Sequence, residues 1–247
     1  MLGSSNSIAD ANTTINTAVA KVLSEFADEL EGAEDFNSAL NALIRKTIRA
    51  HKRILFNGNG YGEEWYREAE RRGLPNYKTT PDALAHLLDE KNVRLFTTMK
   101  IFSETELKAR HEILEENYAK IINIEALTMI EMLSRDILPA VSEYARLLSD
   151  NLIAQKNALG EVPIYEERTL RKILSLKNTV YKKLTALETS YEKVSVISDP
   201  TERAEAFRDH VIPKMEKARE ATDELETMVS RDCWPYPSYG ELLFGVR

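Results

Sequence analysis

Apolar residues return at intervals of three and four along most of this 247-residue chain, the spacing that puts them on one face of a helix. Ile15, Val19, Val22, Leu23, Phe26 and Leu30 form a first stripe, opened by Asn12 or a near neighbour as N-cap and closed by Gly32. Phe36, Leu40, Leu43, Ile44 and Ile48 form a second, starting near Asp35. Tyr61 to Arg72 predicts a short helix stopped by Gly73 and Pro75, and Thr80 before Pro81 predicts the cap and first turn of another over 82–88. Ser103-Glu-Thr-Glu106 is a capping box opening a long helix with Leu107, Leu114, Tyr118, Ile121, Ile122, Met129, Met132 and Leu133, kinked or broken at Pro139 and resumed through Val141, Tyr144, Leu147, Leu148 and Leu152.

The most regular pattern follows. Leu170, Ile173, Lys177, Val180, Leu184, Leu187, Tyr191 and Val194 make a heptad-like seam. Asp199-Pro-Thr-Glu202 then supplies cap, proline and capping glutamate for a last helix carrying Ala204, Phe207, Val211, Ala218, Leu225 and Met228, bent at Pro213. The short connection predicts a long antiparallel, coiled-coil-like hairpin. The charged residues flanking both seams read as a solvated face. Cys233-Trp-Pro-Tyr-Pro-Ser-Tyr-Gly-Glu-Leu-Leu-Phe-Gly-Val-Arg247 breaks the periodicity; Trp234, Tyr236, Tyr239 and Phe244 are expected to anchor an extended aromatic tail. The fold class is mainly α.

Composition narrows the function. The net charge of -7 comes from interspersed acidic and basic residues, which disfavours a nucleic-acid or anionic-membrane surface. No apolar run is long enough to span a bilayer, and the first ten residues have neither the charged nor the apolar region of a signal peptide, so the cytoplasm is expected. The polar start, running straight into a helix, reads as a cut edge. Cys233 is the single cysteine and the four histidines are scattered, with no local zinc-ligand spacing.

One stretch invites a ligand. In Asn57-Gly-Asn-Gly-Tyr-Gly62 three glycines in five positions follow an apolar run and precede a helix. The spacing is neither GxGxxG nor GxxxxGK[ST], and Glu63 and Glu64 stand where a phosphate would meet the helix amides. Asn-Gly pairs tolerate positive φ and let the chain reverse, so a connector is the better reading and a ligand loop the alternative.

Five stretches, NTAVAKVLSEFADELE, HKRILFNGNGYGEEW, GLPNYKTTPDAL, NIEALTMIEMLSRDILPAV and CWPYPSYGELLF, stand in the order found in type III glutamine synthetases, which the chain resembles over essentially its whole length. The resemblance is to the C-terminal part of that longer enzyme. It implies that Leu2-Gly-Ser-Ser5 follows the family's last active-site strand, which the chain lacks. It also implies the parent chemistry: ATP-dependent ligation of ammonia to glutamate through a γ-glutamyl phosphate, with ATP and Mg or Mn as cofactors. The carboxylates and arginines for that chemistry sit upstream of the matched region in the family. No catalytic or metal-binding residue is therefore carried over, no cofactor site is assigned, and the chain alone is expected to need no cofactor and to be inactive. The implied organisation is a helical segment continuing from a catalytic domain over 1–100, a helical extension with the hairpin over 101–232, and the tail over 233–247. The implied partners are the remainder of the synthetase and neighbouring subunits, a dodecamer in the family. The alternative is a stand-alone helical assembly module without catalysis.

Overall fold

The computed structural model describes residues 7–245, so the segment 2–5 that the resemblance sets after an active-site strand lies outside the described residues. The protein is mainly α, with no strand among the described residues. Two compact units, Met1–Ile113 and Leu114–Arg247, divide it.

In the first unit, α1 (Ala9–Leu30) and α2 (Phe36–Ala50) pack on each other. The cap of α1 is Ile8, without a side-chain hydrogen bond, so Asn12 lies inside the helix; Gly32 ends it with φ +80°. Asp35 caps α2 by accepting from Ser38 N–H. A single 3-10 turn (Lys52–Ile54) leads to the glycine-rich stretch and α3 (Glu63–Arg71), which Gly73 closes at φ +67°. Thr79, one residue earlier than expected, caps α4 (Thr80–Leu84), because its hydroxyl is the one that reaches Asp82 N–H at 3.4 Å. The sequence reading missed α5 (Glu90–Thr98), whose short apolar set, with Phe96 buried, sits within a single nine-residue helix and never repeats often enough to show a period. Burial here is thin. Leu43 is the buried apolar residue of α2, while Ile15, Val19, Leu23, Phe36 and Ile48 are all more than half exposed.

In the second unit, α6 (Glu104–Glu131, its first turns in the first unit) continues through a π-helical segment (Met132–Ile137) into α7 (Leu138–Leu159). The capping box at Ser103 forms, its N–H donating to Glu106 at 2.7 Å and its hydroxyl accepting from Glu106 N–H at 3.2 Å. Pro139 removes a hydrogen bond and its ring opposes the carbonyl four residues back; the wider π turn takes up the misfit and the helix continues without a break. The same device recurs where α9 (Pro200–Ala206) passes through a π-helical segment (Phe207–Val211) into α10 (Ile212–Glu226) just before Pro213.

Between these arms lies α8 (Ile164–Ser195), packed on both α7 and α10. Leu133, Ile137, Val141 and Leu148 meet Ile173, Leu176, Val180 and Leu184 of α8 and Ala218, Ala221 and Leu225 of α10 in one cluster. A second joins Ala119, Ile122 and Ala126 to Leu187, Val194, Phe207 and Val211. The expected seam is therefore buried, with Leu176 taking the place assigned to Lys177, which stays half-exposed. Lys172 pairs with Glu224 at 2.7 Å and the Ser190 hydroxyl donates to the His210 carbonyl at 2.9 Å, tying α8 to the chain that follows it at two levels. Ile121, Ile124 and Leu127 of α6 remain exposed.

The tail, expected to be extended, is so only in part. Trp234 and Tyr236 pack against the first cluster, and Tyr236 donates to Asp136 at 2.7 Å, but Tyr239 and Phe244 are exposed and belong to a final helical turn, α11 (Tyr239–Phe244). The reason is a second Ser-x-x-Glu capping box, Ser238 with Glu241.

Because Phe207 is 1% exposed and Tyr181 62%, Phe207→Ala should cost about 3–5 kcal/mol in chemical denaturation, whereas Tyr181→Ala should stay within about 0.5 kcal/mol.

Candidate functional site

The glycine-rich stretch is the natural place to look for chemistry. Upstream, Phe56 turns its ring onto Trp65 of α3, centroids 4.6 Å apart and planes tilted by 33°. Arg72 lies with its guanidinium 6.0 Å from the Trp65 ring and donates to the carbonyls of Arg53 and Leu55 at 3.0 and 2.7 Å. The carbonyls entering the loop are thus held by a side chain from the helix that leaves it. Asn59 makes the turn, its side-chain oxygen accepting from Tyr61 N–H at 3.0 Å and its carbonyl from Gly62 N–H at 3.1 Å.

No glycine here is used for a left-handed backbone, and one of them, Gly58, is used for space. Among the described residues the positive-φ positions are Gly32, Gly73, Gly160 and Lys100, and none lies in this stretch. A Cβ on Gly58 would stand 2.6 Å from the Phe56 ring, so that glycine lets the ring lie against the backbone; Gly60 has nothing within 4 Å of the same position.

Beside the loop is a cleft of about 740 Å³ lined by Glu63, Glu64, Arg67, Glu68, Arg71 and Arg72, three carboxylates facing three guanidinium groups. Hydrogen bonds from Arg71, and then from Arg72, hold the Glu68 carboxyl down to about 2 from an ordinary 4.5. Two of the three arginines are thereby committed inside the protein. Glu63 and Glu64 in the first turn of α3 already complement its positive end. A balanced cleft of this kind has no excess positive charge for a phosphate, and the geometry is that of a clamped connector.

Other perturbed groups also serve structure. Glu115 is completely buried, and burial itself, followed by the charge of Glu205, pushes its carboxyl upward while Arg208 opposes the shift. Burial and then the hydrogen bond to Asp136 raise the Tyr236 hydroxyl to about 12, which fixes it as a donor anchoring the tail. Among the described residues no three His, Cys, Asp or Glu side chains converge as a metal-binding group.

The first unit also carries an apolar surface. Between α1 and α2 runs a groove of about 620 Å³ whose walls are almost wholly apolar, among them Leu23, Phe26, Leu30, Phe36, Leu40 and Ile44. Both stripes were legible as apolar faces, and the two helices leave much of them uncovered; periodicity marks such a face without naming what covers it.

Residues 39–156, from within α2 through the connector and α3–α6 into α7, match the family described as the glutamine synthetase C-terminal domain. The chain is 35% identical over 94% of its length to a glutamine synthetase of Butyrivibrio fibrisolvens and 34% identical over 98% to one of Bacteroides fragilis. It is 31% identical over 98% of its length to the type-3 glutamine synthetase of Dictyostelium discoideum. It spans only about a third of each of these proteins (33%, 34% and 34%). In residues 39–156 the chain is thus similar to the glutamine synthetase C-terminal domain. More particularly, the chain resembles the C-terminal region of a type III glutamine synthetase.

Gly58→Val should therefore lower stability by about 1–3 kcal/mol, since the Phe56 ring must leave Trp65, while Gly60→Val should leave the melting temperature nearly unchanged. A depressed folded-state pKa stabilises above the unfolded value and loses that effect as pH falls through the folded one. Glu68→Gln should accordingly melt below the native chain at pH above about 4.5, and the gap should close as pH falls to about 2, in melting curves recorded from neutral to acid.

Proposed function

We propose that this chain is the helical C-terminal part of a type III glutamine synthetase, contributing folding and subunit assembly to an ATP-dependent glutamate–ammonia ligase rather than catalysing by itself. The observation that carries the reading is the alignment: nearly all of this chain accounts for only a third of each relative. The groups for a γ-glutamyl phosphate route, carboxylates around divalent metal and arginines on the transferring phosphoryl group, then belong to the remaining two thirds. The cytoplasm is the setting proposed for such an enzyme. No helix among the described residues is long and apolar enough to cross a membrane.

The uncovered faces supply the assembly role. The groove between α1 and α2 and the stripe Ile121, Ile124 and Leu127 on α6 are apolar surfaces that water disfavours, and exposed patches of this kind mark interaction sites. We assign the α1–α2 groove to the remainder of the synthetase and the α6 stripe to neighbouring subunits, in a ring assembly such as the family's dodecamer. The second reading, a helical assembly module that works alone, draws on the same groove, since two copies could pair through it.

A γ-glutamyl transfer assay on the purified chain should show no turnover with ATP and Mg; turnover would overturn the reading. Co-expression with the upstream two thirds of a type III synthetase should restore activity and suppress binding of an apolar-surface dye, and Leu23→Glu with Ile44→Glu should prevent both. Dye binding that persists in the reconstituted enzyme would favour the stand-alone module.

A further inference from the structure

The faces of α8 and α10 that turn away from the core were read as plain solvated surface, yet they enclose a trough of about 820 Å³ in the second unit. Lys182 and Lys193 stand on one wall, and His210, Lys214 and Lys217 on the other. A spacing of eleven residues, close to three whole turns, keeps Lys182 and Lys193 on one face of α8, and spacings of three, four and seven do the same for His210, Lys214 and Lys217. Lys182 and Lys193 are separated by three turns, about 16 Å along α8, so the positive charge is drawn out in a line. The trough is fixed in shape at one end by the Ser190 hydroxyl on the His210 carbonyl, within the π-helical segment that precedes Pro213. Ala186 and Val194 keep it open with short side chains.

The charges are unbalanced where the connector cleft's are balanced. Four lysines face one lining carboxylate, Asp209. That carboxylate is already taken: Arg208 forks onto it at 2.7 and 2.8 Å, and this hydrogen bonding is the main cause of its lowered pKa. Lysines elsewhere in the chain, such as Lys108 with Glu104 and Lys120 with Glu116, are paired along their own helices. None of the four trough lysines has an ion pair of this kind among the described residues. The hydroxyls of Thr185 and Thr189 donate back to helix carbonyls, which leaves the ammonium groups as the donors facing the trough. A chain of net charge -7 that collects four unpaired ammonium groups in one concave line has built a site for an elongated anion. A nucleic-acid duplex would need basic surface beyond the trough, and the overall acidity opposes it.

We propose that this trough binds a linear oligophosphate, either inorganic or the phosphate chain of a nucleotide. Isothermal titration of the full chain with inorganic tripolyphosphate should show saturable one-to-one binding that weakens with added salt. Lys193→Gln with Lys214→Gln should weaken it about tenfold or more, while Lys108→Gln should not, with circular dichroism confirming that each variant remains folded. Lys182→Gln with Lys217→Gln provides a second, independent pair with the same expected loss. Orthophosphate should bind much more weakly, because it spans only part of the line. ATP binding as tightly as tripolyphosphate would identify the phosphate chain as the recognised group, and tighter binding would add the nucleoside; either supports the proposal. No saturable binding at millimolar tripolyphosphate, equal affinity for orthophosphate, undiminished binding in both lysine pairs, or binding of polyglutamate without binding of tripolyphosphate would each overturn it.

Discussion

The second unit depends on one helix having two apolar sides. Ile173, Val180, Leu184 and Leu187 of α8 are almost entirely withdrawn from water, and they are covered partly by the α6–α7 arm and partly by the α9–α10 arm. Neither arm alone could cover a stripe that wide, so the three must be present together. Burial of each such side chain contributes roughly 1.5–3 kcal/mol, whereas the surface ion pairs along these helices each contribute within about 1 kcal/mol. The apolar contacts therefore set the packing, and the charged faces are left free for other uses.

The first unit has the opposite economy of surface. Its order comes from local devices, the Asp35 cap, the Asn59 turn, and the Phe56–Trp65–Arg72 stack around the connector, rather than from a deep core. Local devices fix backbone geometry but remove little apolar area from water. The groove between α1 and α2 is what remains when two amphipathic helices meet each other and nothing else. Rigid around its loop and open along its first helices, this unit has the character of a part shaped to receive something.

Much of the fold was legible in the residues. Gly32 and Gly73 ended their helices, Asp35, Ser103 and Asp199 began theirs, and the seam from Leu170 to Val194 went into the core almost position for position. What escaped was what a linear pattern does not encode. A nine-residue helix such as α5 is too short to display a period, and Ser238-Tyr-Gly-Glu241 was hidden by the prolines before it. The glycines of the connector suggested positive φ, but only the folded chain shows that Gly58 yields its space to a ring. The basic trough was invisible for a related reason: its lysines are interleaved with glutamates along each helix, and only the pairing of α8 with α10 sorts the signs.

The two π-helical segments carry a consequence for how such a chain can vary in length. Each acts as one residue inserted into a continuous helix, and one residue is about 100° of rotation. Leu133, Ile137 and Val141, and likewise Phe207 and Val211, stay on one side at steps of four because the wide turn absorbs the drift that an ordinary helix would accumulate. Loss of a single residue within 132–137 or 207–211 would restore regular helix yet turn everything beyond it away from the core. In these helices the residue count is itself a packing parameter: the loops are free to lengthen or shrink, and the two wide turns that precede Pro139 and Pro213 are not.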